Sequence, residues 1–435
     1  MLSPSIDRAP PEAHWPEQAY LIGRERFQSD SPGFADAVAL AHAEHRRPRC
    51  LCRHDGVEMY IARLAGQADA FIIKRMPETG SRHVSDCPHY EPPAELSGLG
   101  QVLGSAIVED PTTGQTILKL DFPLTKVSGH STQPPVGNVR DSVRSDGARL
   151  SLRGLLHFLW DQAELTRWHS GFAGRRSWAT VRRHLLAAAD NKVVRGAALR
   201  ARLYIPEPFS IEHRHALDAR RHAHWSRALP RPGQPAQRLI LIGEIKEIVP
   251  ARFGYKAIVK HLPNQAFALD EALYRRLERR FDAQLSLWGA NDCLHMMAIA
   301  TFVMNNAGVP TLDELTLMPV TNQWLPVTDE FDLQLTARLV KEGRSFINAL
   351  RYNLASGHQL PSALLTDTDD APTPLMIERD GGDVEEDPWK DVDSTREDGS
   401  SAWCWRVAEE QMPALPRHRH KTREGSNTGD CAARS

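Results

Sequence analysis

The chain has 435 residues, of which 41% are hydrophobic and 25% are charged, a composition typical of a globular protein with more than one domain. Its formal net charge of −2 excludes a uniformly basic nucleic-acid coat protein, although single segments can still be strongly basic. The longest apolar stretch, Met296 to Met304, is about half the roughly 20 residues that a membrane-spanning helix requires. We therefore expect no membrane span, and we interpret this stretch as a buried helix.

Residues 1–45 predict a proline-punctuated leader followed by one short helix. The start, MLSPSIDRAPPEAHWPEQ, has prolines and acids where a secretory signal needs a basic start and an apolar segment, so we expect a cytoplasmic protein. Alanines and Val38 favour a helix over Phe34 to His45. The cytoplasm keeps thiols reduced, so the six cysteines favour metal binding over a disulfide framework.

Residues 46–130 predict a β module that carries a Cys/His cluster. VEMYIARL and AFIIKRM are β-rich runs, and AIVED-PTTGQ-TILKLDF is typical of a hairpin with a Pro/Gly turn. Two closely spaced pairs, Cys50 with Cys52 and Cys87 with His89, could be brought together by the strands between them. Four such ligands fill a tetrahedral site and leave no open position, so the sequence predicts one structural zinc ion.

Other interpretations of this cluster remain open at this stage. One residue between ligands is tighter than the two to four of common zinc motifs, which keeps His83 and His54 as alternative fourth ligands. The cysteines could also be buried as small hydrophobic residues. Both pairs lie in polar sequence, RPRCLCRHDG and RHVSDCPHYEPP, where no core is evident.

A polar connector, residues 128–147, separates this module from a basic helical domain at residues 148–230. Ser151 and Ser177 are candidate N-caps of two amphipathic helices. The second helix is followed by VVRG and LRARLYI, so helix, helix and strand could form a winged helix-turn-helix.

The same block carries a local excess of positive charge. Between Arg140 and Arg221 there are sixteen Arg and Lys residues against eight Asp and Glu. A nucleic-acid phosphate backbone is the natural partner of such a block, although a solvated face or pairing with the acidic tail is the alternative. The candidate phosphate-contacting residues of the second helix and the possible wing are Arg175, Arg176, Arg182, Arg183 and Arg195.

Residues 236–378 predict a mixed α/β domain, and residues 379–435 an acidic, largely disordered tail. LILIGEIKEIV and YKAIVKHL form a predicted strand pair, followed by a helix from Asp270 and another from Leu333 to Leu350. SALLTD and PLMIE are predicted strands. Thirteen acids in residues 366–398 favour disorder, whereas AWCWRV and MPALP could dock onto the body.

The signatures of common catalytic sites are absent from the sequence, which leaves carboxylates as candidates. A restriction-type nuclease needs an Asp on one strand and Glu-x-Lys on the next to hold Mg²⁺ and orient water. Glu244 and Lys246 have the Glu-x-Lys spacing but no strand Asp shortly before them. Asp367 and Glu378 could supply the carboxylates, but Asp380 stands where the lysine is needed.

Several segments resemble a bacterial protein family of unknown function that is marked by three N-terminal cysteines. They are CLC, VEMYI, KRMPETGSRH, CPHYEPP, LRGLLHFLWDQAELTRW, and W-x-W with MPALP, and they span most of residues 46–415. The family cysteines correspond to Cys50, Cys52 and Cys87. The resemblance implies genes carried on mobile or conjugative elements and implies no reaction.

The sequence as a whole predicts an α+β multidomain protein. We expect a non-catalytic, zinc-binding, DNA-associated accessory protein of bacterial mobile elements. A Mg²⁺-dependent restriction-type nuclease and a protein-interaction adaptor are the alternatives.

Overall fold

A computed structural model describes residues 18–63, 71–76, 79–110, 115–126, 148–230, 235–355, 358–368, 372–379, 403–408 and 411–418. The polar connector, Asp380 and most of the predicted disordered stretch lie outside these residues. Within the described part the chain is a mixed α/β protein. None of its described helices is both long and apolar enough to cross a lipid bilayer.

The described residues form seven α-helices: α1 Phe34–Ala43, α2 Leu99–Val102, α3 Leu152–Gln162, α4 Trp178–Ala189, α5 Arg214–Trp225, α6 Glu271–Gly289 and α7 Glu330–Lys341. Two of them begin at predicted N-caps, Ser151 and Ser177, and a third begins at Asp270, where the sequence predicted the start of a helix. The side chains of Ser151, Ser177 and Asp270 each accept a hydrogen bond from a backbone N–H in the first turn.

The strands in the N-terminal half are β1 Ala19–Ile22, β2 Glu25–Gln28, β3 Arg49–Cys50, β4 Val57–Arg63, β5 Phe71–Arg75, β6 Ile107–Glu109, β7 Thr116–Leu118, β8 Thr125–Lys126, β9 Arg167–Trp168, β10 Lys192–Val194, β11 Ala197–Ala198 and β12 Leu203–Tyr204. Those in the C-terminal half are β13 Ala236–Gln237, β14 Leu239–Pro250, β15 Tyr255–Val259, β16 Ala266–Leu269, β17 His295–Met304, β18 Pro310–Val320, β19 Phe346–Asn348, β20 Ala363–Leu365, β21 Thr373–Glu378 and β22 Trp403–Arg406.

The N-terminal sheet has the order β2-β1-β3-β4-β5 and is covered by α1. The sequence assigned only a leader and a helix to residues 1–45, and this was wrong for β1 and β2, which form an antiparallel pair at the edge of the sheet. Buried Tyr20, Val38 and Met59 make up part of its core, together with Ile347 and Leu364 from the C-terminal half.

A four-stranded sheet, β11-β10-β7-β6, joins two segments that the sequence divided into separate domains. The β6–β7 hairpin was predicted and is present. β7 also pairs in parallel with β10, which directly follows α4. The largest hydrophobic cluster of the described residues packs this sheet against α3 and α4, and it extends to Ile242 and Ile299.

Strands β14 to β18 form a closed ring. β14 pairs with β15 along its second half and with β17 along its first half, and both pairings are antiparallel. β15 pairs with β16, β16 with β18 in parallel, and β18 with β17, which completes the ring. Helix α6 connects β16 to β17, and its buried Leu273, Leu277 and Phe281 pack into the ring's interior core together with Trp225 of α5.

The predicted buried helix over Met296 to Met304 was wrong, because this segment is the strand β17. Met296 and Ala298 belong to the core inside the ring, whereas Met297 and Ile299 belong to the core shared with α3 and α4. Both faces of the strand are therefore buried. Such a strand has no polar alternation, and its sequence cannot be distinguished from that of a buried helix by periodicity.

The last sheet has the order β22-β21-β20-β19-β9. The predicted helix to Leu350 ends at Lys341, and the chain turns at Gly343, whose φ is 69°, to enter β19. The predicted docking of the C-terminal tryptophans is confirmed. β22 pairs in parallel with β21, and the Nε1 of buried Trp403 donates to the carbonyl oxygen of Ala414 at 2.9 Å.

Candidate metal centre

Two turns of the N-terminal sheet bring three cysteines and one histidine together. Cys50 ends β3, and Cys52 lies in the turn that follows. His83 directly follows a short 3-10 turn, and Cys87 ends the next turn, where its N–H donates to the carbonyl oxygen of Val84 at 3.0 Å. The four potential ligand atoms all lie within 4.8 Å of one another. The cluster could therefore hold a metal ion.

The spacing of these atoms fits tetrahedral coordination. With metal–sulfur bonds of about 2.3 Å and a metal–nitrogen bond of about 2.0 Å, a tetrahedral ion separates two sulfurs by about 3.8 Å and a sulfur from the nitrogen by about 3.5 Å. The Sγ atoms of Cys50 and Cys87 are 3.7 Å apart. The Nδ1 of His83 lies 3.4 Å from the Sγ of Cys52 and 3.6 Å from that of Cys87. These three of the six edges therefore match tetrahedral coordination.

The surroundings of the cluster favour a negative charge on the sulfur of Cys50, whereas burial raises the pKa of the Cys52 thiol. The Nε2 of Gln18 donates to the Sγ of Cys50 at 3.0 Å, and the N–H of His89 donates to the Sγ of Cys87 at 3.4 Å. The pKa of Cys50 is lowered to about 4, mainly by a hydrogen bond from the Cys87 thiol, and the same contact raises the pKa of Cys87. A bound cation would favour deprotonation of all three thiols, because only thiolates ligate metals well.

The fourth position belongs to His83, so the assignment of His89 is corrected. The Nε2 of His89 instead forms a hydrogen bond of 2.6 Å with the Tyr20 hydroxyl, and burial lowers the pKa of His89 to about 3. Neutral His89 is thus hydrogen-bonded to the phenol and lies beside the cluster, with its ring centroid 5.6 Å from that of His83. The other alternative, His54, is fully exposed and pairs with Asp55.

A signal for His83 was present in the sequence. Three residues separate His83 from Cys87, a spacing that is common in zinc sites, whereas only one separates Cys87 from His89. The expectation that these cysteines have no core to join was wrong. Cys50 and Cys87 are buried within the N-terminal core, and the cluster lies at its edge.

The three cysteines are the feature that the sequence shared with a known family, and a family model matches residues 20–408. The chain belongs to the DUF1173 family, which is described as a family of proteins of unknown function. The match includes the whole Cys/His cluster and the closed ring of strands. Neither the curated proteins nor the solved structures contain a match to the chain.

The five arginines that the sequence selected have different surroundings in this DUF1173 protein. Arg175, Arg183 and Arg195 are exposed, and none of the three has an ion-pair partner among the described residues. Arg175 and Arg183 line a groove of about 400 Å³ beside α4. Arg195 lies at the tip of the β10–β11 hairpin.

The other two arginines are held by the backbone. Arg182 donates from Nε to the carbonyl oxygen of Ile205 at 3.0 Å. Arg176 is largely buried, and burial lowers its pKa to about 10. It donates to four backbone carbonyls, so its assignment as a phosphate-contacting residue is corrected to a structural one.

The candidate catalytic carboxylates are engaged in ion pairs. The Oε1 of Glu244 lies 2.8 Å from both Lys260 Nζ and His295 Nδ1. Burial opposes its ionisation, but these two hydrogen bonds lower the pKa of Glu244. Asp367 pairs with Arg344 at 2.7 Å, and Glu378 with Arg406 at 3.0 Å. Within the described residues, the Cys/His cluster alone gathers three or more potential metal ligands.

Proposed function

We propose that this DUF1173 protein is a non-catalytic, DNA-associated accessory protein whose N-terminal module is held together by one structural zinc ion. The observation that carries the zinc proposal is the tetrahedral spacing of four soft or borderline ligand atoms. Zinc is favoured because it combines cysteine and histidine ligands in tetrahedral sites, and because four protein ligands leave no position for a reacting water. Such a reduced site fits a cytoplasmic protein.

The metal content of purified protein tests the zinc proposal. We expect about one zinc per chain, lost together with thermal stability of the N-terminal module in Cys87→Ser. Cys293→Ser is the matched control, because Cys293 is an exposed free cysteine outside the cluster. His83→Asn should lose the ion and His89→Asn should keep it. Stoichiometric zinc in both Cys87→Ser and His83→Asn would refute the site.

The DNA proposal rests on the exposed arginines and on the order of the elements around them. Two helices, α3 and α4, are followed by the β10–β11 hairpin, the succession found in winged helix-turn-helix domains. Trp178, Val181 and Leu185 bury one side of α4. Exposed Arg183 lies on α4, exposed Arg175 precedes its first residue, and Arg195 occupies the tip of the hairpin that would be the wing. Duplex DNA would satisfy these unpaired cations through its phosphates.

The salt dependence of binding to duplex DNA tests this second part. Arg175→Ala combined with Arg183→Ala should reduce the slope of log affinity against log salt by about 1.8, or about 0.9 for each lost phosphate contact. Arg26→Ala is the control, since Arg26 is an exposed arginine in β2. Equal slopes for wild type and the double variant, or no binding at low salt, would refute the DNA role and leave the zinc site untouched.

A further inference from the structure

The ring β14 to β18 has the topology of the barrel that binds oligonucleotides and oligosaccharides in many proteins. Taking β14 to β18 as strands one to five, the order around the ring is first, second, third, fifth, fourth and back to the first. The third and fifth strands are parallel, and a helix connects the third to the fourth. Barrels of this kind bind their ligands on the face of strands two and three, flanked by the turns after the first and fourth strands.

Among the described residues, the corresponding face is the one that remains partly exposed. The outer sides of β14, β17 and β18 are buried against α3 and α4 through residues such as Ile242, Ile299 and Val320. On β15 and β16, Ala257, Val259 and Phe267 point into the barrel. Because side chains alternate along a strand, the outer residues are Lys256 and Ile258 on β15 and Ala266 and Ala268 on β16, and all four are partly exposed.

The turn between β14 and β15 presents an aromatic ring and a cation to solvent. Phe253 is 82% exposed, and the Arg252 guanidinium lies 5.4 Å from its ring centroid. Gly254 has a φ of 70°, and a side chain there would collide with the Leu269 carbonyl at the end of β16. This close approach fixes the turn against the third strand. Phe253 therefore stands at the end of the open face.

The register shows that the second turn borders the same face. Lys256 lies beside Ala268 of β16, and Ala268 lies beside Thr311, the second residue of β18. Neighbouring strands are about 4.8 Å apart, so Lys256 and Thr311 are separated by about 10 Å across the face. The turn before β18, residues 305–309, is exposed throughout.

We propose that the outer face of β15 and β16 binds single-stranded nucleic acid, with a base stacked on Phe253 and phosphates contacted by Arg252 and Lys256. Bases present a flat π surface to an aromatic ring, and cations alongside neutralise the backbone. Neither cation forms an ion pair among the described residues, and Glu247 is the acid that shares the face. An exposed ring flanked by two free cations favours a polyanion over a neutral sugar.

The test measures binding of the zinc-loaded full chain to a labelled single strand of about 16 nucleotides, near the upper site size for one such barrel. Phe253→Ala should weaken binding about 5- to 150-fold, whereas Phe253→Trp, which keeps a stacking surface, should retain it. Lys256→Gln should lower the salt slope by about 0.7. The matched control is Ile211→Ala, because Ile211 is also 82% exposed and lies outside the barrel.

Any of three results would overturn the proposal. The first is no binding of the single strand at low salt, and the second is equal affinity of wild type and Phe253→Ala. The third is that a neutral oligosaccharide binds, that Phe253→Ala abolishes this binding, and that the single strand does not bind. Thermal unfolding of each variant confirms that the fold is intact. The duplex site proposed at Arg175 and Arg183 is independent. Its double variant should keep single-strand affinity, so either proposal can fail without the other.

Discussion

The replacement Arg176→Ala separates a structural arginine from a DNA-contacting one. The guanidinium is enclosed by the ends of several elements rather than by solvent, with its carbon 4.8 Å from the ring centroid of Phe172 and 5.6 Å from that of Trp168. Its hydrogen bonds run to the carbonyl oxygens of Leu165 and Gln323, both at 3.2 Å, Glu164 at 3.3 Å, and Arg167.

The magnitude follows from these contacts. A buried carbonyl that loses its donor costs about 1–3 kcal/mol, and Arg176 serves four of them. Water entering the vacated space would satisfy part of this loss, and the ring contacts add roughly 1 kcal/mol. We therefore expect Arg176→Ala to lower the free energy of unfolding by about 3–5 kcal/mol, less than the full cost of four unsatisfied carbonyls.

Urea unfolding followed by tryptophan fluorescence measures this difference at neutral pH. Arg183→Ala is the control and should change the free energy of unfolding by less than about 0.5 kcal/mol, because the side chain is exposed and lacks an ion pair among the described residues. Arg176→Lys should recover only part of the loss, since an ammonium cannot span four carbonyls. A stable Arg176→Ala protein with DNA binding as weak as that of Arg183→Ala would refute the structural role.

Three further predictions concern buried ionisable side chains. Burial lowers the pKa of His157 to about 3, against about 6.5 in an unfolded chain, so the unfolded state binds more protons and stability is lost as the pH falls below about 6.5. The loss of stability reaches about 2 kcal/mol at pH 5. His157→Gln should remove this loss when urea unfolding is compared at pH 5 and at neutral pH, whereas His215→Gln, at an exposed position of α5, should not. Asp367→Asn should lower the free energy of unfolding by about 3–5 kcal/mol in the same assay, because it leaves buried Arg344 unpaired, and an unchanged midpoint would contradict this. Neither single- nor double-stranded DNA should be cleaved with Mg²⁺, and cleavage that Glu244→Gln abolishes would show that the protein is catalytic.

Local signals in the sequence predicted local structure well. Ser151, Ser177 and Asp270 start helices because their side chains accept hydrogen bonds from the first N–H groups of the helix. This interaction depends only on nearby residues. The β6–β7 hairpin and the β14–β15 pair likewise connect strands that are close in sequence. Closure of the barrel by β14 and β17 joins residues from Ile245 and Met296 to Leu239 and Phe302, which are about fifty to sixty positions apart, and nothing in either strand alone specifies it.

The sequence predicted the three cysteines of the Cys/His cluster correctly but chose the wrong histidine. Cys50, Cys52 and Cys87 stood out because sulfur ligands are rare and were closely paired. Which of His83 and His89 faces the three sulfurs depends on the conformation of two turns. His89 is instead hydrogen-bonded to the hydroxyl of Tyr20. Tyr20 belongs to β1, in a segment for which the sequence predicted no strand.

The sheet β11-β10-β7-β6 limits which segments of the chain can be transferred to another protein by recombination. The cysteine-bearing segment contributes β6 and β7 to this sheet, yet β10, the partner of β7, follows α4 in the chain. Ile347 and Leu364, from the C-terminal half, also complete the core of the N-terminal sheet. Produced alone, that segment would expose an unpaired strand edge, which is a template for aggregation. The cysteine-bearing segment is therefore not expected to fold when it is separated from the rest of the chain. Recombination that moved it into another gene would deliver half of a sheet, so the cysteines and the barrel are expected to be inherited together.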